Sequence, residues 1–206
     1  MKGLFISLGI VTAMSLVSCD ETARLAKELP GTWAGTPENI TDNSALTASI
    51  IESFEIVSDP SAVPEGKNGG LINVVGMLSA TTQLVGDQSF SEPVGLTASA
   101  RSSISGTWVV IDDDEVALQL DPATLKIEID PDAIVTNNNL LNSEGTAKIA
   151  SMKPTIAESM AAGMRQALST RYSSFRHLDD VKVKEPLLKF EIGKNDYVFT
   201  RQGKLK

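Results

Sequence analysis

The chain holds one cysteine, Cys19, and one histidine, His177, among 206 residues. A single cysteine excludes an internal disulfide. A metal site would have little beyond carboxylates to build with. A Ser-His-Asp triad would have to use His177. Aromatic residues make up only 5% of the chain, which argues against a sugar-binding surface of exposed rings. Basic residues are outnumbered: 18 Lys and Arg face 26 Asp and Glu, for a net charge of −8. Nucleic-acid binding needs a basic patch and is not expected. No phosphate loop or dinucleotide fingerprint is present, so no cofactor is implied. Long apolar runs are missing as well. The run from Leu4 to Val17 falls short of the ~20 residues that a spanning helix needs.

That short run carries an address instead. Lys2 gives it a positive start, and Leu16-Val17-Ser18-Cys19 ends it before the acidic Asp20-Glu21. A charged start, a short apolar core and a small residue before the cut describe a secretory signal peptide. The cysteine after that cut makes the segment resemble a bacterial lipoprotein signal, whose Leu-x-Ser-Cys lipobox is matched at all four positions. The resemblance implies that Cys19 is acylated and becomes the mature N-terminus, with no redox or metal role. Such lipoproteins usually carry three acyl chains, and two or more hold a protein stably at a membrane. The implied location is the bacterial cell envelope, lipid-anchored, with the outer membrane expected. In enteric bacteria an Asp at the position of Asp20 favours the inner membrane. That rule does not transfer between phyla and leaves the choice of membrane open.

Residues 1–18 are thus read as signal peptide and 19–29 as a lipidated tether with a short helix, closed by Pro30. Residues 30–206 form one domain, long enough for a real core. Charge is uneven along it. Residues 20–150 hold 6 basic and 20 acidic side chains, whereas residues 151–206 hold 11 and 6. The basic residues are dispersed, so the asymmetry reads as charge balance between neighbouring elements.

Beyond Pro30 the pattern alternates with period two, the signature of strands. Leu46, Ala48, Ile50, Phe54 and Ile56 share one face of a long run. Leu71 to Leu84 is a second run, reached through the turn-rich residues 58–70, and Gly86-Asp87 begins another connection. Val94, Leu96, Ala98 and Ala100 start a third, which continues through Trp108 and Val110. Asp112-Asp113-Asp114 reads as a hairpin turn. Strands with Val116, Leu118 and Leu120, then with Leu125, Ile127 and Ile129, follow and end at Asp130-Pro131-Asp132. Residues 136–147 read as a loop. There the period changes: Ile156, Met160, Met164, Leu168, Tyr172 and Phe175 form one helical stripe. Pro154 suits a first turn, and Thr155-x-x-Glu158 has the form of a capping box. Two short strands, around Leu188–Ile192 and Tyr197–Phe199, close the chain. The fold class is mainly β, with about eight hairpin-linked strands and one helix inserted before the last two. Such a series favours an antiparallel up-and-down barrel, which removes exposed edges.

Gly31-Thr32-Trp33 opens the first strand, and Arg201 follows Tyr197 and Phe199 in the last. With the strand order, these residues resemble the lipocalins and the wider calycin group, in particular bacterial lipocalin-like lipoproteins of the Bacteroidetes type. In that family a Gly-x-Trp starts the first barrel strand and its Trp stacks on a late Arg at the barrel base. The resemblance therefore implies that Trp33 and Arg201 form a structural pair by a cation–π contact. It also implies a lipocalin-like barrel able to hold a small hydrophobic ligand. The helix lies earlier in the chain than the family's, and Gly106-Thr107-Trp108 repeats the tripeptide in mid-barrel. No ligand-site residues are carried over.

The remaining chemistry is sparse. His177, beside Arg176 and Asp179-Asp180, reads as a surface histidine near a helix end rather than a catalyst. Asp112 to Glu115 lacks the spacing of a calcium loop and reads as a solvated turn. The Met160 and Met164 stripe reads as core more readily than as an adaptable ligand surface. Asn39-Ile40-Thr41 matches a glycosylation sequon, a use that a bacterial lipobox makes improbable. Ala98 and Ala100 stand where bulkier residues are expected. They leave a ligand cavity or make room for the helix or Phe54. The expected protein is a membrane-anchored envelope lipoprotein without enzymatic activity that binds a small hydrophobic ligand. The alternative is a structural or interaction lipoprotein with a filled barrel, such as an accessory of an outer-membrane complex or a protease inhibitor, its protein partner unidentified.

Overall fold

Strand β5 (Val94–Val110) is the wall on which the rest is built. It spans 17 residues, about 55 Å of fully extended chain. Its even-numbered residues from Val94 to Ile104, then Trp108 and Val110, are buried. The computed structural model describes residues 21–84, 92–136 and 141–203. One edge of β5 pairs with β4 (Gly69–Leu84) from Leu84↔Val94 to Gly69↔Val109. β4 in turn pairs with β3 (Thr47–Ser58) over all twelve β3 residues. These three long antiparallel strands form a curved sheet with its apolar face inward.

The two outer edges of that sheet are each shared out in pieces. The free edge of β5 takes β6 (Val116–Leu120), β7 (Lys126–Ile129) and β8 (Val135–Thr136) in turn. The free edge of β3 takes β1 (Gly31–Ala34) and β2 (Glu38–Asp42). Then β9 (His177–Lys184) pairs with β6, β10 (Leu187–Ile192) with β9, and β11 (Asn195–Arg201) with β10 and β1. The ring β1-β3-β4-β5-β6-β9-β10-β11 is closed, antiparallel and up-and-down. This is the eight-stranded barrel anticipated from the alternation. β2, β7 and β8 are additional.

Beyond the ring the long sheet would stay open. Helix α2 (Ser143–Ser173) fills that gap, packed between β2 on one side and β7 on the other. Its buried stripe, from Ile149 through Met160, Met164 and Leu168 to Tyr172, joins the single core cluster. Across the sheet, Ala48, Ala80 and Ala98 are in direct register, a row of small side chains on the buried face. Gly163 comes so close to the sheet that a Cβ there would lie 2.9 Å from Leu46 Cδ2.

Two expectations are corrected. The helix precedes the last three strands, not the last two, because residues 177–184 after it are strand β9. Their apolar positions Leu178, Val181 and Val183 are few and separated by charges, so the alternation there is weak. The helix also starts earlier than Pro154: Asn142 caps it, its side chain accepting from Gly145 N–H. Thr155 is therefore no cap, and residues 143–147 of the expected loop are helical. A proline inside a helix costs ~3 kcal/mol. Burial of Gly145 and Ile149 upstream and a Lys153 Nζ bond to Asp132 O hold the first half in place. A further helix, α1 (residues 21–28), lies in the segment read as a tether. Its Leu25 and the following Leu29 are buried in the core. The signal segment, Cys19 and Gly86-Asp87 lie outside the described residues.

Ala98 is 1% exposed, and replacing it by Leu is expected to overpack the core and cost about 1–3 kcal/mol, read as a lower midpoint in urea unfolding.

Candidate functional site

Three constellations carry the chemistry of the described residues. The first is the barrel base. β1 is only four residues long, yet both of its edges are paired, with Trp33 opposite Phe54 on β3 and opposite Arg201 on β11. The Arg201 guanidinium lies 4.0 Å from the Trp33 ring centroid. Its Nη1 donates to Pro30 O and its Nη2 to Glu28 O, both at 2.9 Å. Its Nε stands 2.6 Å from Glu185 Oε1 as an ion pair, off the line of a good hydrogen bond. The Trp33 indole N–H donates to Leu29 O at 2.8 Å. Trp33 and Arg201 are therefore brought together, and the guanidinium ties the end of α1 to the last strand. Gly31 has a φ of +147°, and a Cβ there would collide with Arg201 Nη1. That collision gives the glycine of Gly-Thr-Trp its physical reason. The repeat at Gly106-Thr107-Trp108 follows similar logic. Trp108 is buried and donates to Val57 O at 3.0 Å, and a Cβ at Gly106 would strike Gln119 O.

The second constellation lies inside the barrel, at the seam between the ring and the helix-covered half. Arg171, in the last turn of α2, donates Nε to Glu52 Oε1 at 2.9 Å and Nη2 to Glu52 Oε2 at 2.7 Å. Its Nη2 also reaches Glu38 Oε2 at 2.9 Å. Glu52 is 3% exposed and sits on the inward face of β3 between Ile50 and Phe54. Burial works against the Arg171 cation, but the two carboxylates outweigh it and raise its pKa. Glu52 is level with Gly76, and Gly76 with Ser102, across three strands. A Cβ on Gly76 would run into Ser102 Oγ, so the glycine leaves the serine hydroxyl its space. The Ser102 and Tyr172 hydroxyls are buried without a hydrogen bond of good geometry. Burial, then the neighbouring Glu52 charge, pushes the Tyr172 phenol well up. Above this row the lumen is filled by rings from different walls. Phe54 stacks on Phe190 at 5.8 Å and meets Phe199 at 4.7 Å and Phe175 at 6.2 Å.

The third is a cleft of about 560 Å³ between β6, the 3-10 turn at Pro122–Thr124 and the end of α2. Its floor is core: Ile104, Leu118, Leu125, Tyr172 and Phe175. Arg176, His177 and Gln119 stand along it. His177 is exposed, with Nδ1 2.9 Å from Glu115 Oε1. The single histidine thus begins β9 and bridges to the end of the acidic turn. Asp112 to Asp114 join β5 to β6 as a bend, and no group of three or more metal-ligating side chains occurs among the described residues. Asn39 and Thr41 lie on β2. Met160 and Met164 are buried in the core.

Sequence reading missed the Arg171–Glu52–Glu38 cluster and the Tyr172–Ser102 pair. The signal was available: Glu52 falls on the same period-two face as Ala48, Ile50 and Phe54, and Ser102 on that of Ala98 and Ala100. A charged or hydroxyl side chain on an inward position needs a partner.

A scan of protein-family models finds no match to this chain, and a search of curated proteins finds none either.

Two expected outcomes check these sites. Gly31→Ala is expected to displace Arg201 from Trp33 and destabilise the fold by about 2 kcal/mol or more, seen as a lower thermal midpoint with altered tryptophan fluorescence. Arg171→Met leaves Glu52 charged and alone in the core, at a cost of about 3–5 kcal/mol, most of which Arg171→Met with Glu52→Leu regains. Urea titration of the original protein and the two variants measures it.

Proposed function

We propose that this chain is a lipid-anchored protein of the bacterial cell envelope, lipocalin-like and non-enzymatic, that binds a small molecule with a hydrophobic body. The lipobox residues ending at Cys19 support the anchor and the address, with the outer membrane as the expected site. The ligand reading is carried by one observation: the cleft beside β6, about 560 Å³ with a floor of core side chains. That size lies within the range of small-molecule sites, which pair apolar walls with a few polar groups. The ring contacts of Phe54 with Phe190, Phe199 and Phe175 in the core favour this side opening over the barrel interior.

A second reading, a structural or interaction lipoprotein with a filled barrel, is favoured by the outer face of β3 and β4. There Ile51 is paired with Met77 and Val57 with Leu71, all exposed. Exposed apolar patches of this kind mark contact surfaces.

The full protein, solubilised from its host membrane and examined by native mass spectrometry, is expected to retain a small apolar molecule and to have an acylated N-terminal cysteine. Ser169→Trp, which blocks the cleft from the exposed side of α2, is expected to weaken retention about tenfold, equivalent to 1.4 kcal/mol. Retention unaffected by that variant would refute the cleft as the site. A protein that carries no ligand but co-purifies with a defined partner would favour the second reading.

A further inference from the structure

The cleft beside β6 opens where a strand pairing stops short. β6 runs to Leu120, but β9 pairs with it only at Val116 and Ala117. The Leu118 N–H is taken instead by Arg176 O at 2.8 Å, and that bond sets Arg176 at the rim of the cleft. Acidic side chains outnumber basic ones 26 to 18 along the chain, yet among the described residues no Asp or Glu lines this cleft. Its charged lining is Arg176 and His177. The His177 ring is engaged at Nδ1 by Glu115, whose carboxylate offsets any charge the imidazole carries. Arg176 has no such counterpart. Arg171 and Arg201 each face a glutamate, whereas Arg176 forms no ion pair among the described residues. Its Nε donates to Ser173 O at 3.2 Å, which answers a carbonyl of the last turn of α2. Its Nη1 and Nη2 carry no protein partner among those residues. An apolar floor thus ends at an uncompensated, exposed guanidinium.

We propose that the ligand of this cleft is an amphiphile with a carboxylate head, which pairs with Arg176 at the rim while its apolar body lies on Ile104, Leu118, Leu125 and Phe175. This rests on the reading of the cleft as a binding site. Charge and shape select the head group. The planar guanidinium presents N–H donors in a fork that matches the two oxygens of a carboxylate. An ammonium head would meet Arg176 as a like charge, with no lining carboxylate to receive it. A neutral hydroxyl head would accept a hydrogen bond from Arg176 but gain no charge attraction, and charge-assisted bonds are the stronger kind.

The test uses the full lipidated protein in a nonionic detergent, with protein-free micelles as the blank. A fluorescent apolar probe, N-phenyl-1-naphthylamine, is displaced by octanoate, 1-octanol or octylammonium. Octanoate is expected to displace the probe about fivefold more tightly than 1-octanol, a modest factor because Arg176 is exposed. Octylammonium should be the weakest of the three. In Arg176→Gln the octanoate preference should fall below about twofold, and Arg176→Lys should keep part of it. Octanoate no tighter than 1-octanol, or a preference that Arg176→Gln leaves intact, overturns the head-group assignment and leaves the cleft standing. Probe binding that is absent, or unaffected by Ser169→Trp, overturns the cleft itself and the assignment with it. Far-ultraviolet circular dichroism and thermal midpoints show that each variant remains folded.

Discussion

Closure of this barrel runs through four residues. β1 joins the start of the long sheet to β11, with Trp33 wedged between Phe54 and Arg201. A short strand with so few ladder bonds is held by what surrounds it. The indole is bonded to the end of α1, and the guanidinium covers its face and bonds two carbonyls of the α1–β1 connection. Cation, ring and backbone satisfy one another in a place where each alone would carry a desolvation cost. Without this clasp, β3 and β11 would each expose an unpaired edge, the liability that closed barrels exist to remove.

The other half of the molecule solves the same edge problem differently. There β3 and β5 are flanked only by short strands, and a 31-residue helix spans the interval. A helix cannot extend the ladder, so its fit depends on shape. Gly163 lets it come close to Leu46 at the start of β3, and the Arg171–Glu52 pair fixes where its last turn comes to rest. A buried ion pair of this kind contributes little net stability compared with an apolar substitute. Its value is positional. It holds Tyr172 and Phe175 over the ring, and so shapes both the filled lumen and the cleft beside it.

The strands were legible because one face of each is buried, which stamps the period of two on residues 46–56, 94–110 and 116–120. The clasp was legible from Gly31, Trp33 and Arg201, since its parts lie at fixed ends of the barrel. The misread segments share a physical cause. In β9, charged residues flank widely spaced apolar ones, and in the first half of α2 the burial is sparse and Pro154 mimics a start. The polar core was visible as a break in the inward pattern at Glu52 and Ser102. Its partner Arg171, 119 positions away from Glu52, could not be paired with it by any local rule.

The clasp also sets the order of events in making the protein. Trp33 stands near one end of the chain and Arg201 near the other, so the ring remains open until nearly the whole polypeptide is free to fold. Contacts between such distant residues form late, because the entropy of closing a long loop must be met first. Until β11 is available to pair with β1 the barrel cannot shut, so the strand from Asn195 to Arg201 is the one that locks the structure.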